Sequence, residues 1–144
     1  LVRDHRDQAR ARDLQLSYVD NRMDIDASGT VLRRILGNLI SNALRYTPPK
    51  GRVLLGVRRR QGGIEIQVLD TGPGLLPADI QGLQAPFRQG HHAAPEGHGL
   101  GLFIVRSLCD RSGYVLRVRS RLRQGSCFGI LVPDAPVRAL PGPR

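Results

Sequence analysis

Asn38 and Asn42 stand four residues apart, and Arg45 follows three residues later. At helical spacing the three side chains share one stripe. Paired amides are hard, neutral oxygen ligands suited to Mg2+ or to hydrogen bonds with phosphate. A solvated polar face would carry the same residues, so this stripe alone leaves both readings open. A second cluster is Asp70-Thr71-Gly72-Pro73-Gly74, directly after the apolar alternation of Ile64, Ile66 and Val68. A carboxylate at the end of a buried strand sits at the rim of a pocket and can accept from an exocyclic amine such as that of adenine. Asp and Gly also favour a plain turn after a strand. The third cluster, Gly97-His98-Gly99-Leu100-Gly101-Leu102, runs straight into an apolar helical pattern. Glycines let backbone approach an anion, and a helix N-terminus offers free N–H groups. A flexible linker is the competing reading.

Other signatures fail. A P-loop needs Gly-Lys-Ser/Thr, and Lys50, the only lysine, follows Pro49. A dinucleotide Gly-x-Gly-x-x-Gly would need glycine at position 77 or 102, where Pro77 and Leu102 stand. His91, His92 and His98 have no partners at zinc spacing. Two cysteines, Cys109 and Cys127, make no disulfide framework and fit a reducing compartment. The N-terminus lacks the apolar run of a signal peptide, and no stretch of apolar residues is long enough to span a bilayer. The net charge is +10. Apart from Arg58-Arg59-Arg60 the arginines are scattered, and aromatics are few, so no nucleic-acid partner is expected.

These clusters need elements to hold them. Val31, Leu32, Ile35, Leu36, Leu39, Ile40, Ala43 and Leu44 fall on one face of a helix over 30–46, which carries the amide stripe. Ser28 or Thr30 is its expected cap, and Pro48-Pro49 ends it. A short strand is expected over 14–19. Strands over 52–60 and 64–69 are joined by Gln61-Gly62-Gly63 as a hairpin. Pro77 opens a short helix. Residues 84–97 read as a long loop. A helix over 100–112 follows, with Leu100, Phe103, Ile104, Ser107 and Leu108 on one side, and Gly113 stops it. Strands over 114–120 and 126–132 close the chain through Arg123-Gln124-Gly125. A helical lead-in over 1–13 begins it, and a frayed tail over 134–144 ends it. Mixed strands and helices with hairpins predict an α/β two-layer sandwich, a mixed and mostly antiparallel sheet with helices on one face.

The set of motifs, in this order, resembles the catalytic ATP-binding domain of sensor histidine kinases, whose fold is shared with gyrase-type ATPases. Asn38–Tyr46, Asp70–Gly74, Ala85-Pro86-Phe87-Arg88 and Gly97–Leu102 look like that family's N, G1, F and G2 boxes. Asp26 and the closing Gly125-Ser126-x-Phe128…Pro133 extend the resemblance over most of the chain. It implies ATP and Mg2+ as cofactors. Asn42 would hold Mg2+, Asn38 would lie beside the triphosphate, Arg45 would reach phosphate and Tyr46 would pack by the adenine. Asp70 would accept from the adenine amine, with Gly72 and Gly74 shaping the pocket. Residues 84–98 would be a lid anchored by Phe87. Gly97, His98, Gly99, Leu100, Gly101 and Leu102 would meet the phosphates. ATP-hydrolysing relatives place a Glu four residues before the Mg-binding Asn. Here that position is Asn38, an amide that cannot take a proton, which favours phosphoryl transfer over hydrolysis.

The family's phosphoacceptor histidine is followed by an acidic residue, Arg and Pro. His5 is followed by Arg6-Asp7-Gln8 and does not fit that pattern. The resemblance therefore implies residues 1–13 as a lead-in from a dimerisation domain not in this chain, with 14–133 as the catalytic domain. The expected partners are that histidine-bearing domain and a downstream response regulator receiver domain. The full protein is expected to be a homodimer. The domain is expected in the cytoplasm as part of an inner-membrane sensor protein, with membrane attachment only through regions outside this chain. The alternative is a degenerate nucleotide-binding or docking module without kinase activity.

Overall fold

The structure, a computed structural model, describes residues 1–19, 29–84 and 99–134. Its elements in chain order are α1 (Val2–Ala11), β1 (Gln15–Tyr18), α2 (Gly29–Tyr46), β2 (Arg52–Arg60), β3 (Gly63–Asp70), α3 (Pro77–Gln84), α4 (Gly99–Ser112), β4 (Val115–Arg121) and β5 (Gly125–Pro133). The strands form one sheet in the order β1-β2-β3-β5-β4. β1 runs parallel to β2, and the other pairs are antiparallel. This is the mixed, mostly antiparallel sheet that the pattern predicts.

The core lies between one face of this sheet and the helices. α2 buries Leu32, Ile35, Leu36, Leu39, Ile40, Ala43 and Leu44, the stripe read from its spacing. The Thr47 N–H donates to the Ala43 carbonyl at 3.0 Å, and Pro48 and Pro49 then stop the helix. Against it the sheet presents Val53, Ile64, Ile66, Val68, Phe128, Ile130 and Val132. Burying a side chain of Leu or Ile size contributes about 1.5–3 kcal/mol, so this layer is the main source of stability. α1 joins the same body. His5 Nε2 lies 3.2 Å from Ser41 Oγ on α2, and Arg12 donates to the Arg45 carbonyl at 3.1 Å.

Several expectations shift. Thr30 lies inside α2, so it does not cap it, and Ser28 falls outside the described residues. Gly63 and Gly125 open strands rather than close turns. Asp70 is the last residue of β3, not the residue past it. α4 exists where predicted, but its core face is Leu102, Val105 and Cys109, while Phe103 stays 38% exposed. Apolar residues surround this helix, so its spacing admits two stripes, and packing on α2 selects one. Burial pushes the Cys109 thiol up to about 12, the nearby Asp110 charge adding to the effect, so it serves as a core residue. Asp134, expected in the tail, is tied to the β2–β3 hairpin. Its N–H donates to the Gly62 carbonyl at 3.0 Å, and its carboxylate pairs with Arg59 at 2.7 Å. Residues 135–144 fall outside the described residues.

Candidate functional site

Two elements that are remote in sequence meet at the C-terminal ends of β3 and α2. Register places Asp70 between Val53 of β2 and Ser126 of β5. Its Oδ1 accepts from the Gly72 N–H at 2.8 Å. Burial raises the carboxyl above its ordinary 3.8, and hydrogen bonds from the backbone N–H groups of Gly72 and Ser126 pull the other way. Asp70 lines a shallow, solvent-open cleft together with Asn42, Tyr46 and Ser126. Ala43, Leu75 and Phe128 give that cleft apolar walls. A cleft with apolar walls and one carboxylate suits a heteroaromatic base that offers an amine.

The turn after Asp70 needs its glycines. A Cβ on Gly72 would lie 2.8 Å from Asp70 Oδ1 and displace that hydrogen bond. Gly74 has φ +75, and a Cβ there would run into the Arg121 carbonyl oxygen. The turn is also sewn to the β4–β5 hairpin. The Arg123 N–H donates to the Pro73 carbonyl at 2.7 Å, and the Leu75 N–H donates to Ser120 Oγ at 2.7 Å. Ser120 Oγ in turn donates to the Gly125 carbonyl at 3.0 Å and lies 2.8 Å from Ser126 Oγ. If Ser120 spends its proton on Gly125, Ser126 donates to Ser120 and keeps its lone pairs for the cleft.

One turn back along α2, Asn38 Nδ2 donates to the Arg34 carbonyl at 2.7 Å. This leaves its amide oxygen to face α4, where it lies 3.5 Å from the point a Gly101 Cβ would occupy. The first turn of α4 opens with Gly99, Leu100 and Gly101, whose backbone N–H groups have no partner within the helix. Leu102 buries its own side chain in the core. Amide oxygen, helix N-terminus and bare glycine therefore meet, an arrangement suited to phosphate and to a divalent cation held with it. The Arg45 guanidinium is exposed, 5.7 Å from the Tyr46 ring centroid, and does not line the cleft.

The structure thus brings Asn42, Tyr46, Asp70 and Gly74 into one cleft, with Gly72 bonded to the Asp70 carboxylate. It sets Asn38 against Gly101. Asp26, Phe87, Gly97 and His98 fall outside the described residues, as do His91 and His92. Sequence reasoning assigned no role to Ser120, Ser126 or Phe128. Ser126 and Phe128 share the alternation of Ile130 and Val132, so a hydroxyl in a core-facing row was the available signal. Thr47 was missed as well. It is buried beside the Asp70 turn, its Oγ1 without a hydrogen-bond partner.

The profile of the histidine kinase-, DNA gyrase B- and HSP90-like ATPases matches residues 27–136. The chain belongs to this ATPase family. Among relatives, it is 37% identical over 113 residues to the histidine protein kinase DivJ of Caulobacter vibrioides, covering 77% of this chain and 19% of that protein. It is 38% identical over 107 residues to the sensor-like histidine kinase SenX3 of Mycobacterium tuberculosis, covering 72% of this chain and 26% of that one. The chain thus spans only a fifth to a quarter of the length of these two kinases. Among solved structures, full-length ShkA in complex with AMPPNP matches 97% of this chain and 30% of its own, at TM-score 0.74 and 31% identity. The mycobacterial sensor histidine kinase MprB matches 93% of both chains, at TM-score 0.71 and 27% identity. The fold is that of the histidine kinase catalytic domain, and the family is an ATP-using one.

Proposed function

We propose that this domain binds Mg-ATP and passes the γ-phosphoryl group to a histidine on a separate dimerisation domain. The observation that supports this most is the convergence at α2: Asn42 shares a cleft with Asp70, while Asn38 faces Gly101 at the start of α4. Asp70 accepts the adenine amine, and Tyr46, Phe128 and Ala43 hold the ring. Asn42 supplies an oxygen to Mg2+, with Asn38, Arg45 and the α4 N–H groups around the phosphates. Phe87, Gly97 and His98 belong to the lid in this reading. When bound, the cation spreads the charge of the phosphate oxygens.

Asn38 is an amide and cannot take a proton from water, which favours transfer to a side chain over hydrolysis. In the transfer, the bond from the γ-phosphorus to the bridging oxygen breaks as a bond to imidazole nitrogen forms. The catalytic task is positioning and charge neutralisation. Residues 1–13 are the lead-in from the histidine-bearing domain, and the catalytic unit begins at residue 14. A response regulator receiver domain is the downstream partner, and the working protein is a homodimer with this domain in the cytoplasm.

The test is phosphoryl transfer in trans. The domain is mixed with γ-labelled Mg-ATP and a purified histidine-bearing helical hairpin of a sensor kinase. Acid-labile label on the hairpin is expected, and it should vanish with Asn42→Ala. Label released only as inorganic phosphate would overturn the reading.

A further inference from the structure

The sheet face turned away from the core carries a charge pattern that nucleotide binding does not use. Strand alternation places Arg52, Arg58 and Arg60 of β2 there, with Arg117, Arg119 and Arg121 of β4. In the described strands Glu65 is the one carboxylate on this face. It is 2% exposed, and Gln67 Nε2 donates to it. Its oxygens lie 3.4 Å from Arg60, 3.6 Å from Arg117 and 3.8 Å from Arg119. A Cβ on Gly129 would come within 2.9 Å of its carboxyl carbon, so this glycine lets the carboxylate lie flat on the sheet. One anion thus orients three cations and balances only one of them.

We propose that this face docks an acidic protein segment in extended form, laid along β4. Arg117, Arg119 and Arg121 recur at every second residue, a repeat of roughly 6.6–6.8 Å. Alternate side chains of an extended partner strand recur at the same interval. Guanidinium groups bind carboxylates in bidentate fashion, and their planes are already ordered by Glu65. Leu69 and Leu131 are half-buried among the arginines, and Val115 is 47% exposed. Apolar patches mixed with arginine fit a protein partner. The strand residues on this face include no aromatic side chain for base stacking, which disfavours single-stranded nucleic acid.

The probe is a short fluorescent peptide of alternating Glu and Val, followed by anisotropy at physiological salt. Replacing Arg117 and Arg119 together by Ser should weaken binding by roughly tenfold or more. Both side chains are more than half exposed, so the fold should hold, as circular dichroism will show. The charge-matched control, Arg3→Ser with Arg6→Ser on α1, should leave peptide affinity unchanged, and Mg-ADP affinity should be unchanged in both variants. Equal loss in the control would reduce the effect to net charge and overturn the proposal. So would a DNA probe that binds more tightly than the peptide and loses affinity with the face variant.

Discussion

Asp70 is the residue on which base recognition turns, and its protonation gives a signed prediction. Its carboxyl is raised in the folded state, chiefly by burial. Its contribution to folding is therefore fully present below the ordinary carboxylate value and is lost as pH rises through the raised one. Nucleotide affinity runs the other way, because the adenine amine needs an ionised acceptor. On acidification from neutral pH, ADP affinity should fall before exposed carboxylates titrate, with a limiting slope of about one proton. Calorimetry across pH checks this, and Asp70→Asn should flatten the profile at reduced affinity. Asn42→Ala should narrow the gap between ADP affinity with and without Mg2+. Asp70 and the glycines were legible because each is a polar or flexible residue where an apolar pattern stops, and Asn42 because it falls in line with Asn38 and Arg45 at helical spacing. Ser120 was not, since a serine in a strand signals nothing until its register is known, and Ser126 was visible only as part of the Gly125-Ser126-x-Phe128 motif, with no role attached to it.

At the scale of elements, the site hangs on close contacts between strand ends. Gly125 has φ +132, and a Cβ there would run into the Asp70 carbonyl oxygen. Gly125→Ala should cost about 1–3 kcal/mol from backbone strain alone, and it should also weaken nucleotide binding by shifting Asp70. A denaturant titration paired with an ADP titration separates the two effects. Ile40, fully buried at the centre of α2, sets the height of the amide stripe above the sheet. Ile40→Ala should cost about 2–5 kcal/mol, read as a lowered denaturant midpoint. The helices and both hairpins were readable from periodicity and turn residues. The core face of α4 was not, because Leu100, Leu102, Phe103, Ile104, Val105 and Leu108 leave no single apolar stripe. The burial of Glu65 was hidden too. Strand alternation marks it as outward-facing, and its burial comes from lying flat over Gly129, two residues along the register, under Gln67 and three arginines.

For the whole molecule, the sheet order makes the site. β5 lies between β3 and β4, so Ser126 arrives beside Asp70 although 56 positions separate them in the sequence. Hairpin signals show that β4 pairs with β5, but the crossover that sets β5 against β3 has no local signal. The α/β class was therefore legible and the topology was not. The two sheet faces divide the labour, one buried under the helices that carry the amides and glycines, the other an arginine field. The most direct measurement is a two-dimensional 15N NMR titration with Mg-ADP. The backbone amides of Gly72 and Gly101 and the side-chain amide of Asn42 should shift along one saturable isotherm, while the Arg117 and Arg119 amides stay in place. Separate isotherms for Gly72 and Gly101, or no shift at either, would contradict a single nucleotide site built from all three segments.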